Sequence, residues 1–96
     1  MRKFLIEVPH EASEIPCARV VKNFLELGSH LLNNAEWGCM DGVHKLWILI
    51  EAENKDLARM VLPPMFRAGA AIIGLNKYSL QEINKVLKGE PEAVSS

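Results

Sequence analysis

His10, Cys17, Cys39 and His44 are the residues of this chain whose types can do chemistry together. Neutral imidazole and thiolate are the donors that zinc, nickel and copper accept well. A cysteine beside a histidine can also act as an activated thiolate–imidazole nucleophile. The imidazoles alone can take up or release a proton near neutral pH. No local CxxC or HxxxH spacing joins the four, so only a fold can bring them together. Packing is the competing explanation, because a free cysteine commonly serves as a small buried hydrophobe.

The element that must position most of them is the stretch Ala35 to Glu51, AEWGCMDGVHKLWILIE. Asp41-Gly42 suits a two-residue type I′ turn, with alternating residues on both sides, which predicts a β-hairpin. That turn sets Met40 opposite Val43, Cys39 opposite His44, Gly38 opposite Lys45 and Trp37 opposite Leu46. Ala35, Trp37, Cys39, His44, Leu46, Ile48 and Ile50 then share one face. Glu36, Gly38, Met40, Lys45, Trp47, Leu49 and Glu51 share the other.

Before the hairpin, Lys3 to Val8 alternates as a strand that ends at Pro9, just short of His10. Ser13 is a plausible helix N-cap and Pro16 fits the first turn. Apolar Val20, Val21, Phe24, Leu27, Gly28 and Leu31 then recur at helical spacing, up to Asn33-Asn34. His30, on the last turns, suits the helix C-terminal dipole. After the hairpin, Asn54 can cap a second helix with Leu57, Ala58, Val61 and Leu62 as its stripe, stopped by Pro63-Pro64. A short turn or helical piece spans Met65 to Ala68. Ala70 to Tyr78 is expected to be a fourth strand, with Gly74 a bulge or close-packing site. Ser79 and Glu82 form a capping-box pattern that starts a terminal helix ending near Gly89. The expectation is one domain over residues 1–89 and a flexible tail over 90–96.

The order β-α-β-β-α-β predicts an α+β, ferredoxin-like domain with an antiparallel four-stranded sheet of order 4-1-3-2. In that arrangement the end of the first strand lies beside the start of the third. His10, His44 and Cys39 converge at one sheet edge on the helix side, and the start of the first helix brings Cys17 there. Arg67 is expected nearby. Trp37 is either core or the wall of a pocket that Met65 and Phe66 close from above. Glu51 with Glu53, and Glu11 with Glu14, look like solvated charges, and Asp41 is explained by its turn. The opposite sheet face, with Leu5, Met40, Trp47 and Leu49 and some of Ile73 and Leu75, is too apolar to face water. It implies a partner, most economically a second copy.

Composition narrows the classes. The chain has 96 residues, 49% of them hydrophobic and 24% charged, which is enough for one globular core and argues against disorder. A net charge of −1 carries no footprint for nucleic acid or anionic lipid. The apolar run Phe4 to Ile6 is too short for a signal peptide, and no stretch approaches the length of a membrane helix. Two cysteines without an export signal point to reduced thiols and a cytoplasmic protein.

From Arg2 to about Ser79 the chain resembles the dimeric α+β barrel proteins of ferredoxin-like fold. The residues that carry this are KFLIEV, the hairpin AEWG-x-x-DG-x-H-x-LW, and LPPMFRAGAAIIGLNKY. The hairpin followed by an L-P-x-x-F segment is similar to muconolactone isomerase and its relatives. A histidine closing the first strand is similar to small nickel-binding proteins of the same fold. The superfamily holds isomerases, cofactor-independent monooxygenases and haem-degrading enzymes, so the resemblance implies fold more than activity, and no catalytic residue comes from it.

Three functions follow as expectations. The first is a small-molecule-binding barrel, isomerase- or monooxygenase-like, with His10, His44 and Cys39 as its catalytic groups. Trp37, Met65, Phe66 and Arg67 line its pocket, and no cofactor is required. The second is a protein binding a divalent metal such as nickel or zinc through His10, His44, Cys39 and Cys17. The third is an interaction module in which Cys39 and His44 are packing residues. In each, the partner is a second copy covering Leu5, Trp47 and Leu49, with no nucleic acid and no membrane.

Overall fold

Period-two alternation in the strands and a single apolar stripe on the helices produce two layers, a sheet with helices on one face. The computed structural model describes residues 1–27 and 30–89, and of Leu31 the backbone only. The expected tail over 90–96 lies outside those residues, as do Gly28 and the Leu31 side chain of the expected stripe. In chain order the elements are β1 (Arg2–Pro9), α1 (Glu14–Glu26), α2 (His30–Asn33), β2 (Glu36–Trp37), a 3₁₀ turn (Cys39–Asp41), β3 (Lys45–Ala52), α3 (Lys55–Arg59), α4 (Pro64–Arg67), β4 (Ala71–Leu75) and α5 (Leu80–Lys88). This is an α+β fold.

The four strands form one sheet in the order β2-β3-β1-β4, and all pairings are antiparallel. Counted from its other edge the same order is 4-1-3-2. β1 sets Phe4 against Ile50, Ile6 against Ile48 and Val8 against Leu46, six apolar side chains pointing to the helix side. All six are buried, with Phe24 of α1, Leu32 of α2, Ala58 of α3, Leu62, Ala70 and Ile72 in the same cluster. Gly74 pairs with Phe4, and a Cβ there would come within 3.1 Å of the Arg2 guanidinium, so this is a position of close approach.

Four expectations change. The hairpin neck has Trp37 opposite Leu46 as anticipated, but the turn is not a two-residue type I′ turn. Asp41 does not adopt positive φ; among the described residues only Gly42 does, at +80°. The chain instead winds a 3₁₀ turn in which the Gly38 carbonyl accepts from the amides of Asp41 and Val43. Strand β2 therefore stops at Trp37, and Cys39 and Met40 leave the sheet.

The first helix does not run from the Cys17 region to Asn33. It ends at Glu26, Leu27 is exposed, and His30 opens the separate α2 as an exposed residue rather than capping α1. Gly28 and Ser29, poor helix formers, lie between the two. In the second helical region Leu57 is turned outward, and Val61 and Leu62 follow the end of α3. Strand β4 is shorter than expected, ending at Leu75.

Two caps are formed as read: the Asn54 side chain accepts from the Leu57 amide at 2.9 Å, and Ser79 Oγ accepts from the Glu82 amide at 3.1 Å. Among the described residues, no helix is long and apolar enough to cross a membrane.

Candidate metal centre

The backbone ladder between β1 and β3 continues one residue beyond Pro9. The His10 amide donates to the His44 carbonyl at 3.0 Å, which sets the two histidines side by side at the sheet edge. Their rings meet edge-on with centroids 5.6 Å apart. Three residues after His10, Ser13 starts α1, and its carbonyl accepts from the Cys17 amide at 2.9 Å in the first helical turn. That turn directs Cys17 toward the sheet edge. The 3₁₀ turn delivers Cys39 to the same edge.

The result is a ring of donor atoms from three separate elements. His10 Nε2 lies 3.2 Å from Cys17 Sγ and 3.1 Å from Cys39 Sγ, and the two sulfurs are 3.2 Å apart. One ligand atom from each of His10, Cys17, Cys39 and His44 can be chosen so that all four lie within 4.8 Å of one another. Tetrahedral zinc with bonds of about 2.0–2.3 Å separates its donor atoms by roughly 3.3–3.8 Å. The three closest donors are therefore within roughly half an ångström of the spacing a zinc ion imposes. Cys17 is buried and the other three are half-buried.

Burial acts on both kinds of donor in the cluster. Burial, and next the charge of neighbouring His44, hold the His10 imidazole below its usual pKa, which keeps it neutral and able to donate a lone pair. Burial, followed by the hydrogen bond and the charge of Cys17, pushes the Cys39 thiol up. That is the opposite of the depressed pKa an activated cysteine nucleophile needs. His10 Nδ1 and His44 Nδ1 are buried with no hydrogen-bond partner among the described residues. An orphaned buried ring nitrogen is costly and is the atom a metal or its outer ligands would engage.

The remaining expected site residues lie elsewhere in varying degree. Trp37 packs edge-on against both His10 and Phe24, at 5.8 and 5.5 Å between ring centroids, so it walls the cluster on the core side. Phe66 packs tilted against Phe24, with ring centroids 5.0 Å apart, and reaches an open hollow beside His10, Pro16 and Arg19. Met65 faces a different hollow with Asn23, Leu27 and Pro63. Arg67 is turned to the chain itself, donating to the carbonyls of Leu62 and Met60 at 2.8 and 3.1 Å. These four do not gather around the histidines as one pocket wall.

Reading the sequence missed that the 3₁₀ turn carries Cys39 into contact with Cys17, their sulfurs 3.2 Å apart. No family model matches the chain, and no curated protein and no solved structure matches it.

Proposed function

We propose that this chain is a divalent-metal-binding protein whose centre is His10, Cys17, Cys39 and His44, with zinc the best-suited ion. The observation that supports it most is the triangle of 3.1–3.2 Å contacts among one imidazole nitrogen and two sulfurs drawn from β1's end, α1 and the 3₁₀ turn. Two thiolates and two imidazoles are a familiar structural zinc set, and nickel or copper accept the same donors. Four protein donors leave no position for a substrate, so the ion tethers the hairpin turn and the start of α1 to the sheet edge. The small-molecule enzyme reading draws less support, since Arg67 is engaged by backbone carbonyls and Met65 faces a hollow away from the histidines.

The test is elemental analysis of untagged protein beside His10→Ala and Cys17→Ser. Near-stoichiometric metal in the wild type and its loss in both variants would support the proposal. A wild type that stays metal-free after equilibration with zinc, nickel and copper would overturn it.

The fold reading goes with an assembly reading: a ferredoxin-like domain of the dimeric α+β barrel kind, paired through its open sheet face. Leu49, Ile73 and Leu75 are exposed there, 58%, 42% and 38% respectively, beside Lys3, Glu51 and Lys77. An apolar patch carrying charges of both signs is the kind of surface that a second copy of the same chain can cover.

A further inference from the structure

Cys17 and Cys39 are the only cysteines in the chain, and their sulfurs touch at 3.2 Å. Their backbones are held by different elements, one by the first turn of α1 and one by the 3₁₀ turn, and the two thiols meet at a shared point. Cys39 is the more exposed of the two, while Cys17 is only 9% exposed. A pair of this kind has two fates, sharing a cation or sharing electrons.

We propose that the centre is a peroxide-responsive switch, in which oxidation of Cys39 and Cys17 to an internal disulfide expels the metal. This rests on the metal-binding reading for its second half only. In the first step His10 Nε2, 3.1 Å away, takes the Cys39 proton as the sulfur attacks one oxygen of hydrogen peroxide. The O–O bond breaks, and hydroxide leaves and takes up a proton to become water. Cys39 becomes a sulfenic acid. In the second step the Cys17 thiolate attacks the Cys39 sulfur, the S–O bond breaks, and the hydroxyl departs as a second water. The two sulfurs together lose two electrons, the peroxide gains them, and an S–S bond replaces two S–H groups. Two imidazoles are then the only donors left, too few to hold zinc against water.

The geometry favours this course over further oxidation. The resolving sulfur already touches the attacking one, so a sulfenic acid on Cys39 meets a thiol before a second peroxide reaches it. His10 Nε2 is within 3.2 Å of both sulfurs and is placed to accept the Cys17 proton and pass it to the departing hydroxyl.

The experiment is stepwise addition of hydrogen peroxide to the zinc-loaded and the metal-free wild-type chain, with intact mass and a chromogenic zinc chelator read in parallel. In the metal-free chain the expected result is loss of the mass of two hydrogens and both free thiols, with the chain still monomeric on a denaturing gel. In the loaded chain one zinc is released per disulfide formed. Cys17→Ser should instead gain oxygen on Cys39. The proposal is overturned if the wild type gains oxygen at Cys39 or cross-links between chains without an internal bridge, or if the bridge forms and zinc stays bound. Failure to load zinc at all, with the disulfide still forming in the metal-free chain, would overturn the metal reading and the expulsion step but not the disulfide.

Discussion

Cys17 Sγ and Cys39 Sγ lie 3.2 Å apart although 22 positions separate them in the chain. Neither belongs to the sheet. One comes from a helix that begins directly after β1, the other from a turn that the hairpin needs because Asp41 stays out of the left-handed region. The contact is therefore a product of two connections, not of strand pairing, and anything that binds or bonds the two sulfurs ties those connections together.

Zinc should stabilise the folded chain by mass action. At a free concentration 100 times the dissociation constant the gain is about 2.7 kcal/mol, or on the order of 10–20 °C in Tm for a domain of this size. Thermal melts with and without zinc measure it. Cys17→Ser and His10→Ala should show a small fraction of that shift; an equal shift in either variant would place the ion elsewhere.

The metal-free chain should be most stable between about pH 6.5 and 9.0. His10 has a folded pKa below its ordinary 6.5, so the unfolded chain binds more protons there and stability falls as pH drops through about 6.5. Cys39 has a folded pKa above its ordinary 9.0, so the folded chain holds its proton longer and stability falls as pH rises past about 9.0. Bound zinc should abolish the alkaline loss, because it stabilises the deprotonated thiols in the folded state. Urea titrations across pH 5 to 10, with and without zinc, check both limbs.

Gly38→Ala should destabilise the hairpin by roughly 1–3 kcal/mol, the usual range for overpacking. A Cβ there would stand 2.8 Å from the Val43 carbonyl oxygen and 2.9 Å from the Trp47 ring. Trp47 cannot move aside freely, since its indole N–H donates to Glu7 at 3.0 Å. Denaturant unfolding measures the loss, and metal affinity should fall with it because Gly38 anchors the turn carrying Cys39.

Leu49→Glu should leave the monomer folded and abolish association, because Leu49 faces out of the sheet with no neighbour from the helix layer. Sedimentation velocity of wild type and variant tests this. A wild type that is monomeric at all concentrations, or a variant that still dimerises, would contradict the paired-sheet assembly. Trp47 is a poorer probe than its sequence position suggests, being held by Glu7 and packed over Gly38.

The sheet was legible because burial and period agree in it. Phe4, Ile6 and Val8 alternate with Leu5 and Glu7, and Leu46, Ile48 and Ile50 alternate with Trp47, Leu49 and Glu51, so each strand's inner face is written in its own residues. The convergence of His10 and His44 followed from the antiparallel pairing of those strands. What the sequence concealed lies in the connections. A helix that ends at Glu26 and a turn closed by backbone hydrogen bonds at Gly38 depend on local φ/ψ choices to which hydrophobic pattern is blind. Leu80, Val86 and Leu87 make α5 amphipathic, yet α5 buries no residue in this chain, and pattern alone could not distinguish that from a core helix.

The most direct test of the metal centre is titration of the metal-free protein with cobalt(II), read by its visible and near-ultraviolet absorption. The account predicts saturation at one ion per chain. Intense d–d bands of a tetrahedral site should appear with sulfur-to-cobalt charge-transfer bands of two thiolates, and zinc should displace both. Weak octahedral bands, no charge transfer, or an unchanged spectrum in the Cys17→Ser, Cys39→Ser double variant would contradict it.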